Sequence, residues 1–257
     1  MTAMTIVPVP ARANRVHTPL RRFAILVVSV FVAVLALAFG PAGGAAFAAQ
    51  PVAQCNNVDN TPGLGLTCDV TVTNNLNVAT GVESSVVTIK ECHGPANTVP
   101  SSCVGPTTTS YNTLTTSVNQ CNSSENGAGA SVICKVQVIN NITGGTSPTA
   151  ATINQCVGSG TGGGTQSTLN CDPFPATTSS ASVTQCNGSA NGGGAQNRVT
   201  CTVATGATES AQLAVTINQC NGSANGGGAV VTCSTELTTL AIEAAVTLPS
   251  IRRAQAQ

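Results

Sequence analysis

The sequence predicts an all-β fold made of six disulfide-stapled antiparallel β-hairpin repeats, set out as an open, solenoid-like stack, with a closed threefold β-prism or trefoil as the alternative. Three observations predict it. A cysteine-centred motif recurs along the chain, the twelve cysteines fall into six pairs, and Val/Thr-rich segments alternate with Gly/Asn-rich ones. Val and Thr favour strands, Gly and Asn favour turns, and recurrence at a near-fixed period is the mark of a repeat architecture.

The N-terminus stands apart. Arg12, Arg15, Arg21 and Arg22 form a basic stretch, and Phe23 to Phe39 is apolar apart from Ser29. Ala46-Phe47-Ala48 then fits the small-x-small rule for signal peptidase. Residues 1–49 are therefore expected to be an export signal, cleaved after Ala48 or Ala49. An uncleaved membrane anchor is the alternative, since the apolar run is near the short limit of a span. Cleavage leaves a chain with one His (His93), one Tyr (Tyr111), one Phe (Phe174) and no Trp. Nine acids face five bases, a net charge near −4, with no basic patch for nucleic acid or an anionic membrane. The expected address is extracellular or cell-surface.

So few aromatics leave Val, Ile, Leu, Ala and cystine to form the core. An even number of cysteines in an exported chain reads as a disulfide framework. The motif is clearest at Gln185-Cys186-Asn187-Gly188-Ser189-Ala190-Asn191-Gly192 and Gln219-Cys220-Asn221-Gly222-Ser223-Ala224-Asn225-Gly226. Weaker copies start at Cys121 and Cys156, and divergent ones at Cys55 and Cys92. Val or Ile stands three residues before each first cysteine. Leu or Val stands two before each second cysteine, except before Cys103. Residues i and i+2 share a strand face, so the second cysteine lies with the apolar side chains. The first is out of phase and must lie past a bulge or at the start of the turn. The simplest pairing closes each unit on itself: Cys55–Cys68, Cys92–Cys103, Cys121–Cys134, Cys156–Cys171, Cys186–Cys201 and Cys220–Cys233. Pairing between neighbouring units is the rival.

The links differ. Those after Cys68, Cys134 and Cys201 open as strands. Those after Cys103 and Cys171 carry Pro106, or Pro173 and Pro175, which argue against a central strand. The period then reads as a double unit of about 65 residues in three copies, with segments 50–120, 121–185 and 186–257. Ala244 to Leu248 reads as a closing strand, with a short helix over Glu236 to Ala245 as the alternative. The Gln-Cys-Asn-Gly-Ser-x-Asn-Gly-Gly-Gly core resembles repeats in uncharacterised secreted proteins of high-GC Gram-positive bacteria. That resemblance implies a source and an address, and no mechanism.

Chemistry is sparse. His93, directly after Cys92, is expected to be a solvated turn residue rather than a base or metal ligand. The acids Asp59, Asp69, Glu83, Glu91, Glu125, Asp172, Glu209, Glu236 and Glu243 look scattered. No Gly-x-Ser-x-Gly elbow, Cys-x-x-Cys pair or phosphate-loop lysine occurs. No catalytic, cofactor or metal residues are assigned, and no enzyme is expected. The expectation is a structural repeat protein whose partners are itself or envelope components. An extracellular binding module that offers its Gly/Asn loops to a polar ligand or glycan is the alternative.

Overall fold

The computed structural model describes residues 49–145, 147–161, 168–173, 178, 180–193 and 198–243. Residues 1–48 of the expected export signal, Phe174 and the expected closing strand at 244–248 lie outside the described residues. Fourteen strands are described. In chain order they are β1 (Ala49–Gln54), β2 (Leu64–Asn77), β3 (Val82–Pro95), β4 (Ser102–Tyr111), β5 (Leu114–Gln120), β6 (Ser131–Thr143) and β7 (Thr149–Ala150). There follow β8 (Ile153–Gln155), β9 (Thr168–Asp172), β10 (Val183–Gln185), β11 (Arg198–Val203), β12 (Thr208–Glu209), β13 (Thr216–Gln219) and β14 (Val230–Ile242). No helix occurs among the described residues. β14 runs through Glu236 to Ile242, where a helix was the alternative.

Two main sheets carry the fold, one in the order β1-β5-β13-β10-β8 and one in the order β4-β3-β2-β6-β14-β11-β9. Each has two ends, and neither closes on itself. β7 and β12 form a small third sheet.

Five units share one path. A strand of the five-stranded sheet ends in Gln-Cys, the chain turns over through the Gly/Asn segment, and it returns as a strand of the seven-stranded sheet. We call this path an arch. Its two cysteines are joined across the gap between the sheets. Both sheets order the arches alike: Cys55–Cys68, Cys121–Cys134, Cys220–Cys233, Cys186–Cys201, Cys156–Cys171. The arch at Cys220 is thus inserted between those at Cys121 and Cys186.

The expectation of antiparallel hairpins is corrected here. The two strands of an arch lie in different sheets, and each pairs in parallel with its counterpart in the next arch. The reason lies in the repeat itself. In-register parallel pairing sets like residues side by side: Cys68 against Cys134, Cys134 against Cys233, Cys201 against Cys233 and Cys171. Identical side chains can then satisfy one another, as in stacked cross-β segments. Of the six cysteine-paired units, only Cys92–Cys103 is a hairpin: β3 and β4 are antiparallel, with Cys92 directly opposite Cys103. That hairpin flanks the arches at the β2 side, and each arch stands singly, so the strand order does not group the units two by two. The expected segment boundaries fall inside one unit, Phe47–Gln257. Pro106 lies in the edge strand β4, as a missing N–H requires.

The core fills the space between the sheets. One part holds the five arch disulfides with Leu66, Val132, Val199 and Val231. The other holds Val52, Val118, Val183 and Ile217 from one sheet against Val70, Val136, Val138 and Leu237 from the other.

Candidate functional site

The first cysteine of each arch takes a left-handed conformation, with φ between 56° and 61° at Cys55, Cys121, Cys156, Cys186 and Cys220. That single reversal resolves the phase problem in the sequence. Val or Ile at −3 and Gln at −1 face inward from the strand, and the positive φ at the next residue swings the cysteine inward as well.

Each residue of the motif then works against its own counterpart. Gln120, Gln155, Gln185 and Gln219 are fully buried. Gln219 Nε2 donates to Gln120 Oε1 at 3.1 Å, and Gln185 Nε2 donates to Gln155 Oε1 at 2.6 Å. Thr235 Oγ1 lies 2.8 Å from the Oε1 of both Gln185 and Gln219. A buried amide left unpaired costs roughly 1–3 kcal/mol, so this row is tolerated only because it is satisfied. Outside the cysteines runs an asparagine row: the backbone N–H groups of Asn122, Asn221, Asn187 and Val157 donate to the Oδ1 of Asn56, Asn122, Asn221 and Asn187. A second row joins Asn60, Asn126, Asn225, Asn191 and Thr161 in the same way. At the arch of Cys156, Val157 and Thr161 replace asparagine and end both rows. Gly226 is fixed by a close approach: a Cβ there would lie 2.1 Å from the Gly127 carbonyl oxygen.

One motif position breaks the uniformity. Four residues after the first cysteine, the arches carry Asp59, Glu125, Ala224, Ala190 and Gly160, all with φ between 51° and 65°. Two acids therefore stand at equivalent places on adjacent arches. Glu125 is fully buried, and neither carboxylate oxygen has a hydrogen-bond partner.

β3 adds an imidazole. It pairs with β2 so that His93 is opposite Leu66 and Glu91 opposite Cys68, which turns both side chains to the inner face, beside the arch of Cys55. His93 Nδ1 meets Asp59 Oδ2, and His93 Nε2 lies 2.9 Å from Glu91 Oε1. His93 is thus half-buried in a strand between two carboxylates, not a solvated turn residue. Burial works against its protonation, but the hydrogen bonds and charges of Asp59 and Glu91 outweigh burial and raise its pKa above the ordinary value. Burial, and after it the charge of Asp59, pushes the Glu125 carboxyl up to about 8, while His93 pulls the other way.

Of the acids that looked scattered, the fold brings together Asp59, Glu91 and Glu125. Asp69 faces outward on β2 beside Lys135 and Lys90 in register. The signal for Asp59 and Glu125 was present in the repeat, since both stand at the fourth residue after a first cysteine. Glu91 and His93 arrive only through the pairing of β3 with β2. Among the described residues, the sets of three close-set ligand-type side chains are cysteines already in disulfides: Cys55, Cys68 and Cys121, and Cys134, Cys220 and Cys233. Two shallow depressions border β2, one lined in part by Leu66, Pro95 and Ile133 and one by Leu76, Val82 and Ile242. Neither is lined by a titratable side chain.

No curated protein and no solved structure matches the chain. The model of one family, a domain of unknown function designated DUF8253, matches residues 51–240, a span that takes in all five arches and the Cys92–Cys103 hairpin, and the chain belongs to that family.

Proposed function

We propose that the chain is an exported, non-enzymatic structural protein of the cell surface or extracellular space, an open solenoid-like stack built for rigidity. The observation that carries this reading is that the motif side chains are spent on one another. Asn56, Asn122, Asn187 and Asn221 accept hydrogen bonds on Oδ1 from backbone N–H groups of the next arch. Groups engaged in that way hold the loops together and are not offered to a ligand, which favours a scaffold over a loop-based binding module. Six disulfides suit an oxidising compartment. Its partners in this reading are further copies of itself or components of the envelope.

Fractionation of expressing cells, followed by peptide mapping without reduction, tests the proposal. The expected result is protein in the medium or envelope that starts at Ala49 or Gln50 and carries the six within-unit bridges. Cytoplasmic protein with free thiols would sink the exported scaffold. A hydrolytic activity abolished by one carboxylate substitution would sink the non-enzymatic part.

A further inference from the structure

We propose that the gap between the Cys121 and Cys186 arches is a receptor site for a C-terminal arch, and that copies of this chain join by exchanging that arch. The inference rests on the reading that the protein assembles with itself, and it names the surface and the mode.

The chain order makes the gap. The Cys55 and Cys121 arches come first, the Cys156 and Cys186 arches follow at the far end of the stack, and the Cys220 arch enters last, between them. Among the described residues, no strand of the first two arches pairs with a strand of the Cys186 or Cys156 arch, whereas β13 and β14 pair on both sides. On one side the N–H groups of Asn221 and Asn225 donate to the Oδ1 of Asn122 and Asn126 at 2.9 Å. On the other, the N–H groups of Asn187 and Asn191 donate to the Oδ1 of Asn221 and Asn225 at 2.9 and 2.8 Å. Until the last arch is in place, two unpaired strand edges face each other, and such edges are templates for a second chain.

The gap also selects its occupant. The side-chain nitrogens of Gln120 and Gln219 point toward the Cys55 end, to the Cys68 carbonyl and to Gln120 Oε1. Those of Gln155 and Gln185 point the other way, to the Pro173 carbonyl and to Gln155 Oε1. The two series meet oxygen to oxygen at Gln219 and Gln185, where a donor is required. Thr235 supplies it, with Oγ1 2.8 Å from both oxygens. In register, Val70, Val136 and Val203 stand at this place on other arches. The Cys186 arch carries the same cysteine motif without the hydroxyl, so the gap matches the C-terminal arch, and it matches that of any copy equally.

The arch can leave as one piece. Cys220–Cys233 closes it on itself, and the other disulfides lie within their own units, so exchange breaks no covalent bond. Residues 204–215 tie it to the preceding arch. Thr239 of β14 donates to Thr208 through both N–H and Oγ1, so most of this link travels with the arch. The exposed turn at 204–206, with Gly206 at a φ of 79°, is the hinge. Every contact made within one chain is then remade between two, which makes exchange a ready route to dimers. End-to-end stacking lacks that match: at the Cys156 arch Val157 and Thr161 stand where asparagine would accept, so a further arch finds no Oδ1 there.

The test uses the full secreted protein with its disulfides intact. Light scattering is expected to give the mass of a dimer or a higher multiple. Ile139→Cys and Thr238→Cys place two thiols at register partners on β6 and β14, within bridging distance. In the double variant the new bridge is expected to join separate chains, so covalent dimers or larger species appear on denaturing gels without reductant. The two single variants, secreted together, are expected to cross-link to each other and not to themselves. A monomer at every concentration, a bridge that closes within single chains, or no bridge in any variant would each overturn the exchange. A monomer recovered from the envelope would do so and leave the structural reading standing, so the two fail separately.

Discussion

Glu125 and Ala224 occupy the same place on neighbouring arches, and where the methyl of one packs into the core the carboxyl of the other is buried without a partner. Glu125 keeps its proton in the fold up to about pH 8, against an ordinary value of 4.5. The folded state therefore binds this proton more tightly than the unfolded chain does. Its contribution is fully present below pH 4.5 and is lost as pH rises from there to about 8. Glu125→Ala is expected to flatten this slope and to raise stability at neutral pH. Urea midpoints at about pH 5 and about pH 9 check this. Parallel pH dependences in variant and unaltered protein would exclude Glu125 as the cause.

The disulfide Cys220–Cys233 closes the middle arch of the five across 13 residues. By the chain-entropy model a loop of this size contributes about 3 kcal/mol. Replacing both cysteines with alanine is expected to lower stability by about 2–4 kcal/mol, read from denaturant unfolding. A loss well below one kcal/mol would mean that the stacked rows of side chains alone suffice.

Gln219→Ala removes the donor to Gln120 Oε1 and an acceptor of Thr235 in a fully buried row. The groups left behind cost about 1–3 kcal/mol, and the cavity adds to that. Gln219→Leu keeps the volume but not the pairing, so a comparison of the two by chemical denaturation separates the cavity from the lost hydrogen bonds.

Gly226→Ala sets a methyl against the Gly127 carbonyl, whereas Thr61, at the matching place in the arch of Cys55, has no further arch beside it among the described residues and carries an exposed side chain. The alanine variant is expected to lose about 1–3 kcal/mol, while Thr61→Gly is expected to be near neutral. Thermal unfolding of the two variants tests this directional packing.

Asn187-Gly188 and Asn221-Gly222 are dipeptides prone to deamidation, in which the glycine nitrogen attacks the asparagine side-chain carbonyl. Here Gly188 N–H donates to the Val157 carbonyl at 2.9 Å and Gly222 N–H to the Asn187 carbonyl at 2.8 Å. Both asparagine side chains are also held by neighbouring arches. Deamidation at these sites is expected to be slow in the oxidised protein and to speed up after reduction, as followed by peptide mass. Equal rates in both forms would mean the rows open freely in the native state.

The sequence by itself determined the all-β class, the six cysteine-marked units, the exclusion of the Pro106 stretch from a central strand and the odd phase of the first cysteine, while the tertiary structure chose within-unit pairing over its rival. The four sequence readings follow from local chemistry: β-branched residues on strands, a recurring cysteine motif, a missing N–H at Pro106, and period-two counting from Val or Ile to Cys. Only the tertiary structure decided which strands pair. Hydrophobic alternation looks the same whether a strand bonds to the one after it or to its counterpart in another unit. The choice went to the counterpart, because in register the Gln and Asn side chains satisfy one another, and that exchange exists only between arches. The same holds for the carboxylate and imidazole cluster. The matching places of Asp59 and Glu125 were written in the repeat, but His93 and Glu91 come from a divergent unit, and the antiparallel register of β3 on β2 delivers them to the flank of the first arch.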